Sequence, residues 1–263
     1  MLKKIKNILV LGLVIFYSSG YSEPNKLKFV ATTTHIGNIL SEIGKDKVDV
    51  VTIVSANTCP GHFDIEPSVI KKTVDAKILL YHGWEKWINK IVEINSDISL
   101  IKIEVENNWL LPEVNLQAAK EICRILCEID HKNKYFYEQN YINYKKEIED
   151  FVSKIERIKY GKTKVLCAER NSELLRWLGF DIVGIYKTSE ENSLKEIKKI
   201  VKLAKQKNVN LIVDNLQSNF KLGRQVAKDV KAKYMILTNF PTEDTYLKTL
   251  KNILEQIDSI IYE

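Results

Sequence analysis

From residue 27 onward the chain alternates short, nearly unbroken apolar runs with longer segments whose apolar positions recur every three or four residues. The runs at 27–32, 48–54, 77–82 and 98–103, and again at 163–168, 180–186, 209–214 and 233–238, are rich in Val, Ile and Leu. Strands covered on both faces have this composition, which marks a parallel sheet. Helical spacing marks 67–76, 113–129, 193–207 and 219–230. Pro67 stands in a first helical turn, where a missing N–H costs nothing. Asn192 or Ser193 is placed to cap the third helix, with Glu196 closing a capping box. Strand then helix, four times and then four times more, predicts an α/β chain of two lobes, each a parallel sheet flanked by helices.

The stretch 131–160 breaks this rhythm. It holds no Gly or Pro, and Tyr137, Tyr141, Tyr144, Ile148, Phe151, Ile155 and Ile158 recur at helical spacing until Gly161. One helix over that span is about 40 Å long. It predicts a stiff rod bridging a lobe at 23–130 and a lobe at 161–263, with limited hinge motion between them.

The first residues read Met1-Leu2-Lys3-Lys4-Ile5-Lys6, followed by an apolar run at 8–17 and small residues at Ser18, Ser19 and Gly20. This is the pattern of a secretory signal peptide, expected over 1–22 with cleavage after Gly20 or Ser22. An uncleaved anchor is the alternative. The run is shorter than the roughly 20 residues a spanning helix needs. No cysteine follows it, which argues against a lipid-anchored N-terminus. An exported protein, periplasmic or otherwise extracytoplasmic, and monomeric, is expected. The formal charge is +6, of which Lys3, Lys4 and Lys6 belong to the leader. The remaining lysines are scattered among glutamates along helical segments, as on solvated faces. With no arginine-rich patch and interleaved aromatics, nucleic acid is not expected as a partner.

Open parallel sheets bind ligands beyond the carboxyl ends of their strands. With two lobes, the ligand belongs in the cleft between them. The residues after the strand runs are Thr33-Thr34-His35, Cys59-Pro60-Gly61-His62, His82-Gly83-Trp84 and Asn107-Asn108-Trp109 in the first half. In the second half they are Ala168-Glu169, Asp214-Asn215-Leu216-Gln217 and Asn239-Phe240-Pro241. Three of the four histidines fall in this set, as do Cys59 and, just before Ala168, Cys167. Cys123 and Cys127, four apart on a helix, read as small buried hydrophobes, because a disulfide along one helical turn is strained.

The segments 29–39, 43–50 and 60–68 carry a family resemblance. So do Tyr81-His82-Gly83-Trp84-Glu85-Lys86-Trp87, Asn108-Trp109-Leu110-Leu111-Pro112, 177–184 and Thr245-Tyr246-Leu247. In their order and spacing the chain resembles the zinc- and manganese-binding solute-binding proteins of ABC importers. The resemblance implies two α/β lobes bridged by the long helix. It implies a metal ion, zinc or manganese or another transition metal, bound between them as cargo and passed to a membrane permease. It places His62 at the family's first ligand and Glu169 at the third. Asn107 stands where a second histidine is usual, and Asn239 near the usual aspartate. His62 lies one residue further from Glu66-Pro67 than the family pattern, and no His-rich loop is present.

A divalent ion needs three or four close donors. With two of the usual ligands replaced by Asn, Cys59 and Cys167 are the candidates to complete a Cys59, His62, Cys167, Glu169 site. That soft donor set suits zinc, or copper if thiolates dominate. His82 is a further candidate ligand. A Cys59–Cys167 disulfide across the cleft is the alternative in an exported protein, and two unrelated free thiols a third possibility. For His35, helix capping or core hydrogen bonding is expected in place of a ligand role. The Asn replacements and the tryptophans also suit a metal chelate or small organic solute as cargo. A Cys59 nucleophile with His62 or His82 as base is the enzyme alternative. It has no oxyanion loop around it, and no G-x-G-x-x-G fingerprint is present. No catalysis is expected.

Overall fold

The computed structural model describes residues 26–74, 76–155, 160–187, 194–218, 221–242 and 244–262. The expected signal peptide and the expected cap at Asn192 or Ser193 lie outside the described residues.

The first four strands are β1 (Leu27–Ala31), β2 (Val48–Thr52), β3 (Ile78–Tyr81) and β4 (Ser99–Lys102), all parallel, in the order β2-β1-β3-β4. The second four are β5 (Lys164–Ala168), β6 (Asp181–Tyr186), β7 (Leu211–Asn215) and β8 (Lys233–Leu237), parallel in the corresponding order β6-β5-β7-β8. Alternate residues of each central strand serve different layers. Phe29 and Ala31 of β1 face a core shared with α1 (Thr34–Gly44) and α4 (Pro112–Ile129), while Val30 faces a second core under α2 (Pro67–Thr73) and α3 (Ile88–Ile94). In the other sheet Val165 and Cys167 face the shared core, with α6 (Ser172–Trp177) and α9 (Tyr246–Tyr262). Leu166 and Ala168 face α7 (Leu194–Lys207) and α8 (Lys221–Val230). This two-sided burial is why the strands read as unbroken apolar runs.

The long helix begins three residues later than its sequence pattern suggests. After α4, Asp130 adopts φ −128°, ψ 74°, and His131–Asn133 form a separate 3-10 turn. The Asp130 carboxylate accepts hydrogen bonds from Tyr137 Oη at 2.8 Å and Asn133 Nδ2 at 2.6 Å, which fixes the reversal. The helix α5 then runs over Lys134–Ile155, 22 residues, about 33 Å. Residues 156–159 lie outside the described set. Tyr137, Tyr144, Ile148 and Ile155 are its buried face. Asn140 Nδ2 donates to Ile43 O at 2.8 Å and Tyr144 Oη to Asn115 Oδ1 at 2.7 Å, tying α5 to α1 and α4.

One apolar cluster is continuous from β1 through α4 and α5 to β5, β7 and α9. Across it, buried Tyr246 Oη donates to Leu110 O at 2.8 Å. The two sheets are therefore joined by packed side chains as well as by the chain. Among the described residues no helix is long and apolar enough to cross a membrane.

Candidate functional site

In an open sheet the crevice lies where neighbouring connections leave in opposite directions. In the order β2-β1-β3-β4 that point is between β1 and β3. The chain leaving β1 reads Thr32-Thr33-Thr34-His35, and the chain leaving β3 reads His82-Gly83-Trp84. The two turns are stitched together. Thr33 Oγ1 lies 2.8 Å from His82 Nε2. Buried Glu85 accepts from Thr32 Oγ1 at 2.6 Å and from the backbone N–H groups of His82 at 3.0 Å and Gly83 at 2.8 Å. Gly83 has φ +102°, a conformation that glycine takes freely and other residues resist.

A cavity of about 890 Å³ opens from this point and reaches the other sheet. His35, His82, Trp84, Asn107 and Trp109 line it from the first sheet's side, and Glu169, Arg170, Asn239 and Phe240 from the second. His35, in the first turn of α1, is 4% exposed. It donates from Nε2 to the carbonyl of Asn239, 3.0 Å away, across the two sheets. A carbonyl only accepts, so the ring proton is on Nε2, and Nδ1 carries the lone pair. Burial, then the neighbouring His82, push the His35 pKa down to about 3, against the opposing bond to Asn239. Burial lowers His82 to about 3 as well. Both rings are neutral imidazoles at pH 7, the form that binds metals. Trp109 packs edge-on to His82 with centroids 4.4 Å apart and near His35 at 5.9 Å, and Trp84 stacks on His82 at 5.1 Å.

The rim is charged with both signs: Lys102, Arg170 and Arg176 against Glu104, Glu106, Glu169 and Glu173. Lys102 pairs with Glu104 at 2.9 Å. Asn107 has φ +74°, which asparagine tolerates better than most residues.

Of the ligand candidates His62, Glu169, Cys59, Cys167 and His82, the structure brings His82 and Glu169 to this cavity. Cys167 is fully buried in β5 within the shared core, where burial raises its thiol pKa to about 12. A thiol held that far from ionisation, behind packed apolar side chains, is a poor metal donor. Cys59 and His62 belong to the loop after β2. Trp87 Nε1 donates to Pro60 O at 3.0 Å and the Phe63 ring packs edge-on to Trp87, which pins that loop to the first sheet's outer core. His62 ends the 3-10 turn Pro60–His62 with its side chain exposed, and neither residue is among those lining the cavity. All four cysteines are free, so Cys59 and Cys167 are not bridged. Among the described residues, no three His, Cys, Asp or Glu side chains come close enough to hold a metal ion.

The cavity residue that sequence reasoning places outside the ligand set is His35. Its position directly after β1 is the one local signal for it. The tertiary signal, a carbonyl 204 positions away fixing its tautomer, has no trace in local sequence.

A family model described as zinc-uptake complex component A, periplasmic, matches residues 29–260. The chain belongs to that family. It is similar to the manganese ABC transporter substrate-binding lipoprotein PsaA of Streptococcus pneumoniae serotype 4, 27% identical over 248 residues, which cover 79% of this chain and 80% of PsaA. Among solved structures, a crystal structure of ZnuA superposes with a TM-score of 0.79 at 21% identity, covering 90% of this chain and 99% of ZnuA. The Mn-bound periplasmic metal binding protein from Candidatus Liberibacter asiaticus gives a TM-score of 0.73 at 19% identity, covering 90% and 100%. At these identities the two structures speak for the fold. The cleft of this chain carries Asn107 and Asn239 together with two imidazoles beside the β1–β3 crevice.

Proposed function

We propose that this protein is the exported solute-binding component of an ABC importer. Its cargo is a divalent transition metal ion, zinc or manganese, held in the cleft between the two sheets and delivered unchanged, as a monomer, to a membrane permease. One observation carries the reading: in a chain of this family, the cavity at the carboxyl ends of both sheets receives nitrogen and oxygen donors from each side, His82 on one and Glu169 on the other. His82 supplies a neutral nitrogen. The Glu169 carboxylate supplies negative charge, which the Asn residues at 107 and 239 do not. Release of an unaltered cargo needs no catalytic group. The Cys59 thiol lies outside the cavity, so a nucleophile paired with His82 is not part of the proposal.

A second reading has its own support. The cavity is far larger than one ion, and Trp84 and Ile185, 47% and 42% exposed, present apolar surface at its two walls. Both features suit a metal carried in a small organic chelate.

The test is elemental analysis of protein purified without chelator or His-tag, followed by melting scans with Zn2+, Mn2+ and zinc citrate. A cargo at a hundred times its Kd stabilises by about 2.7 kcal/mol, raising Tm by roughly 5–10 °C in a chain of this size. A shift with free ions supports the first reading, and a shift with zinc citrate alone supports the second. No co-purified metal and no shift with any of the three would remove both.

A further inference from the structure

Within the described residues, five buried side-chain atoms lack a hydrogen-bond partner: Thr34 Oγ1, His35 Nδ1, Asn171 Oδ1, Asn215 Nδ2 and Asn239 Oδ1. Leaving such an atom unpaired costs about 1–3 kcal/mol, so each calls for a reason. Two of the five, His35 Nδ1 and Asn239 Oδ1, belong to side chains lining the cleft, and these two residues already touch through the His35 Nε2–H to Asn239 O bond. That bond is the arrangement in which metal-binding imidazoles are held: one ring nitrogen donates to a backbone carbonyl, which fixes the tautomer and turns the other nitrogen's lone pair outward. His82 Nε2 lies 2.8 Å from Thr33 Oγ1, a hydroxyl that accepts from the ring when the proton is on Nε2, and in that tautomer Nδ1 carries the lone pair. Both rings pack on the indole of Trp109, which limits their rotation.

We propose that His35 Nδ1 is an inner-sphere donor for the cargo. It stands in a site completed by His82 and by Asn239 Oδ1 that takes zinc in preference to manganese. The inference rests on the metal-cargo reading above and moves the site away from the position of His62. Two imidazoles and an amide oxygen make a three-donor set with only two members among His, Cys, Asp and Glu. This accounts for the lack, among the described residues, of any larger cluster of those residue types. Imidazole nitrogen suits zinc, whereas manganese favours carboxylate and other oxygen donors. Water takes the remaining position, because no third His, Cys, Asp or Glu side chain joins the two imidazoles among the described residues. The donors come from both sheets, β1 and β3 on one side and β8 on the other, so the ion bridges the cleft.

The test uses the full exported chain and Zn2+ alone in competition with a chromogenic chelator. The wild type, His35→Gln and His62→Ala are compared, with Mn2+ run in parallel. We expect one zinc per chain, zinc binding at least 100-fold tighter than manganese, a loss of at least 100-fold in His35→Gln, and less than a threefold change in His62→Ala. Zinc-edge X-ray absorption of the wild type, expected to show two imidazoles, decides the matter independently should His35→Gln fail to fold. If the wild type binds zinc but His35→Gln binds it equally well, or the spectrum shows one imidazole or none, the inference is overturned and the metal-cargo reading stands. If manganese binds as tightly as zinc, the preference is overturned. If the wild type binds neither ion, the metal-cargo reading fails and this inference with it.

Discussion

Cys59 and Cys167 show how burial separates residues that look alike in sequence. Each follows or ends an apolar run, but Cys167 is 0% exposed within the shared core while Cys59 sits half-buried in a surface loop. Burial also raises the thiol of Cys123 to about 12, with Cys127 adding to it, and raises that of Cys127. Thiolate is the reactive form. Native protein at pH 8 should therefore expose one thiol to a disulfide reagent, Cys59, and four in denaturant. Saturating zinc should leave the rate at Cys59 unchanged. Two reactive thiols in the native state, or protection of Cys59 by zinc, would count against the placement of the site away from the cysteines.

At the scale of elements, the turn from β3 into α3 decides whether His82 is held in place. Glu85 organises that turn through three hydrogen bonds, two of them to backbone N–H groups. A buried carboxylate is tolerated when several donors converge on it. Glu85→Ala leaves three donors unpaired and should cost about 3 kcal/mol or more. Glu85→Gln keeps one acceptor oxygen and should recover part of the loss. Chemical denaturation measures this directly. Zinc affinity should fall along the same series, because the His82 N–H is one of the groups released. The α4–α5 reversal shows the same principle: polar contacts to the Asp130 carboxylate hold the break between the helical patterns at 113–129 and 131–160.

For the whole molecule, the continuous apolar cluster and the Tyr246–Leu110 hydrogen bond join the two sheets. Opening such an interface exposes apolar area at about 25 cal/mol per Å², so a wide hinge movement is disfavoured. Cargo exchange then relies on local movement at the cavity mouth, where Trp84 is 47% exposed. A folded chain of this length has a radius of gyration on the order of 18 Å. Small-angle scattering of metal-free and zinc-loaded protein should give values that differ by much less than ~1 Å on that scale. A contraction several times larger would show a closing hinge.

The order of strands and helices was legible in the sequence, because burial on both sheet faces forces unbroken apolar runs and helices against them force a 3.6-residue period. All eight strands fall inside the expected runs, apart from the extension of β7 to Asn215. The helices α1, α3, α6 and α9 lie outside the expected helical segments. Two of them, α3 and α6, span 7 and 6 residues, too few for a period to show. In α1 the stripe Ile36, Ile39, Leu40 and Ile43 recurs at helical spacing, so that helix was legible. The 17 residues of α9 do carry such a stripe, at Leu250, Ile253, Leu254 and Ile257, so that helix was within reach of the same reasoning. The carboxyl-end rule named most residues that line the cavity, His35, His82, Trp109, Glu169 and Asn239 among them, but of the five ligand candidates only His82 and Glu169 line it. Only the tertiary structure decided which donors share it. Proximity across the two sheets depends on how strand ends and loops are pinned, by Trp87 for the loop holding His62 and by the carbonyl of Asn239 for His35. Those contacts join residues 27 and 204 positions apart, a separation that neither local periodicity nor spacing encodes.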